Sequence, residues 1–358
     1  MKKVDRCSVS ALLVVALLLL CAPASAAIPP YDPLLVSEEF KPETVDLAVD
    51  DEERERQIPL RVYLPAEDSS APVVLFSHGL GGSREGCAYL GRHWVARGYV
   101  AVFLQHPGSD ASVWQAVPPA QRIAAMREVA GVQNFMLRVK DVSAVLDQLV
   151  RWNVSKDHAL AGRLDLERVG MSGHSFGAVT TQAVSGQAGF RGRFSFTDER
   201  IKAAIAFSPS SPRRGDPAQA FGSVKIPWML MTGTKDLSII GDTDLESRLA
   251  VFPALPAGGK YELVLHRAEH SAFADRALIG DREKRNPNHH KVILALSTAF
   301  WDAWLREDGE AKTWLDGEGP SSVLEENDRW QTKCEDKSES REEKADADTG
   351  ADTNDRSR

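Results

Sequence analysis

The segment Gly173-His174-Ser175-Phe176-Gly177 constrains this chain more than any other stretch. It follows the apolar run Arg168 to Met171 and precedes the helix-like Ala178 to Val184, which puts a serine on a sharp turn from strand to helix. Such a turn leaves no room for a side chain two residues to either side of its apex, and both of those positions are glycine. Five residues of this kind can also be an ordinary glycine turn. The strand before it and the helix after it point instead to a serine displayed for chemistry.

The rest of the chain supplies a framework for that turn. Thr44 to Val49 and Gln57 to Leu64, separated by the charged Asp50 to Arg56, predict an antiparallel hairpin. Val73 to Phe76, Tyr99 to Leu104, Arg168 to Met171, Ile201 to Phe207, Trp228 to Met231 and Tyr261 to Leu265 predict further strands. Between them lie helical stretches, one ending near Arg97 and another marked by Phe135, Val139, Val142, Leu146 and Leu149 at steps of four and three. That stripe is most simply core packing. A last amphipathic helix covers Lys291 to Leu305, and there is no internal repeat. Parallel neighbours need crossover connections, so strands alternating with helices imply an α/β fold with a mostly parallel sheet and helices on both faces. Ligands of such sheets bind at the carboxyl ends of the strands.

A serine hydroxyl is a poor nucleophile near neutral pH and needs a base, which needs a third group to fix its tautomer. On a strand–turn–helix elbow these follow in the order Ser, acid, His. Asp236 lies 61 residues after Ser175, just past the strand at Trp228 to Met231, and His270 lies 34 residues further, past the strand at Tyr261 to Leu265. His266 also sits at that strand end and competes for the role of base. Asp242 and Asp244 compete for the role of acid, although they follow Gly241 and read as the cap of a helix at Leu245 to Val251. His174 flanks the nucleophile and reads as a packing or hydrogen-bonding residue. His289 and His290 are adjacent, with side chains pointing apart and no carboxylate at ligand spacing, so no metal site is expected there. His93, His106 and His158 read as surface or core histidines.

Attack on a carbonyl also requires donors for the oxyanion, usually backbone N–H groups. One is expected from Phe176, next to the serine. The other is expected from Leu80 in the glycine-rich turn Ser77-His78-Gly79-Leu80-Gly81-Gly82. His106 to Gln133 and Pro209 to Gly222 follow strands at the same edge and are expected to set specificity. Arg213 and Arg214 in the second stretch could hold a carboxylate or phosphate, but such a pair is more often solvated surface.

The two ends are excluded from the fold. Lys2, Lys3 and Arg6 precede an unbroken apolar run of twelve from Ala11 to Ala22, and Ala24-Ser25-Ala26 offers a small-residue cleavage site, so residues 1–26 read as a secretory signal peptide and the mature chain starts at Ala27. Twelve apolar residues are fewer than the roughly 20 that a membrane-spanning helix needs. Cys21 raises lipoprotein processing as an option, but Leu20 stands where that signal wants a small residue. Residues 335–358 hold nine acidic and five basic residues and no Val, Ile, Leu, Met, Phe, Tyr or Trp, which reads as a disordered, solvated tail. The 27–334 segment is therefore expected to be one catalytic domain. The chain's formal net charge of -8 argues against nucleic acid or an anionic membrane as partner. An exported chain keeps Cys87 and Cys334 where a disulfide could persist, and two cysteines alone do not show whether they pair.

In Phe76 to Gly81, in the Gly173 to Gly177 elbow and in the contexts of Asp236 and His270, the chain resembles the alpha/beta-hydrolase superfamily. Within it, the chain is similar to the platelet-activating-factor acetylhydrolase and dienelactone hydrolase-like group, over roughly residues 44 to 305. Polyester hydrolases share this framework but typically carry Met where this chain has Phe176. Dienelactone hydrolases proper use cysteine where this chain has Ser175. The resemblance implies an alpha/beta-hydrolase fold and an ester-hydrolysing serine enzyme with no cofactor; with the amino-terminal signal pattern, the expectation is a secreted or periplasmic serine esterase acting on a small-molecule or lipid ester. Ser175, His270 and Asp236 would form its triad, and Leu80 and Phe176 its oxyanion donors. The alternatives are a polyester- or lipid-specific hydrolase of the same fold and a noncatalytic binding protein built on it.

Overall fold

Val73, Val74, Leu75 and Phe76 are apolar on both faces of a strand and at most 1% exposed, the pattern of a strand covered on each side. In a computed structural model of the chain, which describes residues 30–36, 42–189, 194–241, 243–277 and 280–334, they belong to a nine-stranded mixed sheet. The chain divides into Met1–Tyr31 and Asp32–Arg358, and the sheet and the site belong to the second unit. The expected signal segment 1–26 and the tail 335–358 lie outside the described residues, as does Asp242.

The strands are β1 (Glu43–Asp51), β2 (Arg56–Leu64), β3 (Ala71–Ser77), β4 (Val100–Leu104), β5 (Leu164–His174), β6 (Ile201–Phe207), β7 (Trp228–Lys235), β8 (Lys260–Glu269) and β9 (Arg329–Lys333), in the spatial order β1-β2-β4-β3-β5-β6-β7-β8-β9. From β4 to β8 the pairing is parallel throughout. The β1–β2 hairpin adds antiparallel to β4, and β9 adds antiparallel to β8. The result is an α/β fold with a mostly parallel sheet.

Alternation along the strands builds two apolar layers. Leu60, Val62, Leu75, Val102, Val169 and Met171 face one side, where the stripe Val139, Val142, Leu146 and Leu149 of the helix Val132–Val154 buries itself on them. Burial at such positions contributes roughly 1.5–3 kcal/mol per large aliphatic side chain. On the other side Tyr63 and Phe103 pack edge to face at 5.3 Å beneath the helix Ala88–Ala96. Trp94 of that helix donates to Ser297 Oγ of the helix Pro287–Leu305 at 3.2 Å.

Several elements were not expected from the sequence, among them the short helices Ser112–Gln115, Arg122–Val129 and Pro217–Phe221. Also unexpected, the helix Gly309–Asp316 and the edge strand β9 close the sheet's far end. The strand's sequence Arg-Trp-Gln-Thr-Lys has no apolar alternation, and Trp330 holds it by stacking on Tyr261 of β8 at 5.7 Å. Among the described residues no helix is long and apolar enough to cross a membrane.

Candidate active site

The parallel strands bring their carboxyl ends to one edge, and that edge carries the turn after β3, Ser175 after β5, the loop after β7 and the end of β8. Ser175 stands between β5 and the helix Phe176–Val184 with φ 57° and ψ −114°. A side chain rarely adopts this backbone, at a cost of order 1–3 kcal/mol. The turn is held by a hydrogen bond from Ser175 N to Phe207 O of 2.9 Å. It is also why the flanking residues are glycines: a methyl on Gly177 would overlap the Ser77 carbonyl and come within 2.9 Å of His78 O, and one on Gly173 would overlap the backbone of Gly177.

Ser175, His270 and Asp236 come together. His270 Nε2 is 2.9 Å from Ser175 Oγ, and His270 Nδ1 is 2.7 Å from Asp236 Oδ1. Asp236 is fully buried. Burial alone would push its carboxyl up, but the charges of His270 and Arg248 and the hydrogen bond to His270 outweigh it and hold the group well below the usual carboxylate range. Its other oxygen accepts from Thr232 Oγ1 at 2.8 Å. Since Asp236 stays ionised and accepts only, Nδ1 of His270 carries the proton and Nε2 is left to accept from Ser175.

Arg248 was not expected in the site. Its guanidinium lies 3.1 Å from Asp236 Oδ1 and donates to the carbonyls of Asp236, Ser208 and Pro209 at 2.7, 2.8 and 3.0 Å. It thus fixes the carboxylate from behind. His174 is buried and donates through Nε2 to His270 O at 3.0 Å, its ring 4.6 Å from that of His270. Burial and the nearby His270 push its pKa down to about 3, so it is a neutral support for the loop that carries His270. His266 is exposed, and its N–H is taken by Asp328 at 2.7 Å, so its proposed rivalry with His270 finds no contact with Ser175. Asp244 caps the helix Leu245–Leu249 through a 2.8 Å bond from Ser247 N.

Leu80 and Phe176 both line the cleft beside Ser175. Among the described residues neither N–H has a hydrogen-bond acceptor. The turn that bears Leu80 rests on a buried polar network. Ser77 Oγ is 2.9 Å from His106 Nε2, and His106 Nδ1 is 2.9 Å from Asp141 Oδ2, a second Ser-His-Asp array with no exposure at any of the three residues. Asp141 also binds Arg54 and Arg56, each at 2.8 Å. Burial, aided by Arg138, pushes His106 down to about 4 and lowers His78 as well, so both rings are neutral. His78 Nε2 accepts from His106 N at 3.0 Å, which puts its proton on Nδ1, donated to Gly79 O at 2.6 Å.

Above these groups opens a cleft of about 1860 Å³ whose apolar walls include Trp114, Ile123, Met126, Val179, Ile239 and Ile240. The first three come from the 106–133 stretch and Arg213 from the 209–222 stretch, and Arg213 donates to Gly241 O while Arg214 is exposed. Cys87 is buried and Cys334 exposed, and they are not bonded to each other. His289 donates to His266 O and His290 stacks on Tyr89 at 3.9 Å. No protein-family model matches the chain, and no curated protein is significantly similar to it.

Proposed function

We propose that this chain is a carboxylic ester hydrolase of the alpha/beta-hydrolase fold that works through an acyl-enzyme on Ser175. The observation that carries the reading is the unbroken relay from Ser175 Oγ through His270 to the buried Asp236 carboxylate. In this reading Ser175 Oγ attacks the ester carbonyl carbon as its proton passes to His270 Nε2, and the carbonyl oxygen, now negative, takes hydrogen bonds from the N–H groups of Leu80 and Phe176. The carbon–alkoxy bond then breaks and His270 returns the proton to the departing alcohol. Water next gives a proton to His270 and its hydroxyl to the acyl carbon, releasing the acid and restoring Ser175. Asp236 supports the imidazolium in both halves. A binding protein on this scaffold would gain nothing from a strained serine aligned with an oriented base.

The size and apolar walls of the cleft favour bulky apolar esters, a lipid or a polyester included, over acetyl esters. The proposal extends to export, with maturation at Ala27, on the strength of the amino-terminal pattern alone. The test is turnover on p-nitrophenyl esters of increasing acyl length, beside a phospholipid and a polyester film, with covalent labelling by a serine-directed fluorophosphonate. Labelling that maps to Ser175 and vanishes in Ser175→Ala is expected. No turnover and no labelling would overturn the reading.

A further inference from the structure

Arg138 lies in the apolar-faced helix Val132–Val154, yet its side chain has no exposure at all. It donates to neutral acceptors, Ser109 Oγ at 2.8 Å, His78 O at 2.6 Å, and more loosely Ser109 O, Gly79 O and Ser77 Oγ at 3.3 to 3.5 Å, and it lies 3.3 Å from His78 Nδ1. The guanidinium also lies over the ring of Phe176, 4.5 Å from its centroid. Asp141 and Asp110 act on this cation only through space, without a hydrogen bond to it, and burying a cation without a directly paired carboxylate is costly before those contacts offset it. Filling the same space with an apolar side chain would avoid that cost, so packing alone does not account for a cation here.

We propose that Arg138 is the positioning residue of the oxyanion-binding site, one buried cation that holds the Leu80 and Phe176 N–H groups in fixed relation. The inference rests on the ester-hydrolase reading above. Gly79 O and the Leu80 N–H are opposite ends of one planar trans peptide group. Drawing that oxygen inward, toward His78 Nδ1 at 2.6 Å, Gly82 N at 3.0 Å and Arg138 at 3.5 Å, turns the Leu80 N–H outward to the cleft. The same guanidinium pins the preceding carbonyl of His78 and, through Ser109, the neighbouring turn, since Ser109 O accepts from Gly81 N at 2.9 Å. Its contact with the Phe176 ring ties this turn to the residue that follows the nucleophile. One side chain therefore touches both donor-bearing segments.

The experiment compares wild type with Arg138→Lys, which keeps the charge but cannot span the His78, Ser109 and Phe176 contacts. A fall in kcat of roughly 100-fold with KM within about threefold is expected, because the donors would be displaced by an ångström or so. A boronic acid that forms a tetrahedral adduct on Ser175 should bind more weakly by a comparable factor. A purely structural role would lower the active fraction and the melting temperature and leave the boronate Ki unchanged, and an unchanged Ki overturns the proposal. Should Arg138→Lys fail to fold, Phe176→Leu keeps the N–H and removes the ring, and a loss of boronate affinity of about 3- to 10-fold is expected from losing a desolvated cation–π contact; no loss overturns the proposal. Fluorophosphonate labelling of wild type keeps the two readings apart. Unlabelled wild type sinks the esterase and the Arg138 role with it, whereas labelled wild type with unchanged Ki in the variant sinks the Arg138 role alone.

Discussion

Replacing Asp236 by asparagine removes one charge from the relay without changing its shape, and the surroundings decide what the amide does. In one orientation its NH2 faces His270 and would force the wrong tautomer, with the proton on Nε2 where Ser175 needs an acceptor. That orientation also points a donor at the Arg248 guanidinium, which sits 3.1 Å from the Oδ1 position. In the other orientation the amide oxygen stays between His270 and Arg248, and the NH2 meets Thr232 Oγ1, a hydroxyl able to accept. The second is favoured, so His270 keeps its proton on Nδ1 and the variant loses charge rather than tautomer. A carboxylate and an imidazolium whose charges are about 4 Å apart attract by about 4 kcal/mol at an effective dielectric of 20. That corresponds to a kcat loss of about 1,000-fold.

Ester turnover gives the size of the loss, and the nitrogen chemical shifts of His270 give its tautomer. Asp244→Asn serves as the control. As a helix cap outside the relay it should cost about 1 kcal/mol of stability or less, with turnover nearly unchanged. Retention of more than a tenth of wild-type turnover in Asp236→Asn would show that this carboxylate is not the acid. A large loss accompanied by an Nε2–H imidazole would show that Arg248 does not dictate the orientation of the amide.

Three further outcomes follow from the buried groups. His78, His106 and His174 are held neutral mainly by burial, with folded pKa values below the unfolded one, so between about pH 6.5 and pH 4 the unfolded chain takes up protons that the native chain refuses. Stability should therefore be full above pH 6.5 and fall with acid by up to about 1.4 kcal/mol per pH unit for each histidine; denaturation at pH 7, 6 and 5 measures this, and a flat profile contradicts it. Gly177→Ala should destabilise the fold by about 3 kcal/mol in a denaturant titration, since the methyl meets two backbone carbonyls. Burial pushes the Cys87 thiol up, so a chain starting at Ala27 should react with Ellman's reagent at Cys334 alone when native and at both cysteines once unfolded; no reaction under either condition would indicate a disulfide.

What the sequence disclosed and what it withheld separate along a physical line. Ser175, Asp236 and His270 were legible because each stands at the end of an apolar run, and the carboxyl edge of a parallel sheet brings such ends together whatever lies between. Arg138, Asp141 and Arg248 were not legible. Each is a single charge on a helix, and a charge on a helix reads by default as solvated surface. Its burial depends on partners far along the chain: 60 residues separate Arg138 from His78, and 85 separate Arg56 from Asp141. A weak sign was present, since Arg138 and Asp141 immediately precede Val139 and Val142 of the apolar stripe and so border the face that enters the core. His106 gave none, because neither its neighbours nor its spacing distinguish a surface imidazole from one locked between Ser77 and Asp141. The strand β9 escaped for a different reason, as an edge strand needs only one apolar contact, here Trp330 on Tyr261, and shows no alternation. The relay is thus written locally at strand ends. The buried cations around it, Arg248 behind Asp236 and Arg138 behind the Leu80 turn, are specified only by the packing of distant segments, so substitutions that leave every strand and motif intact can still reshape the site.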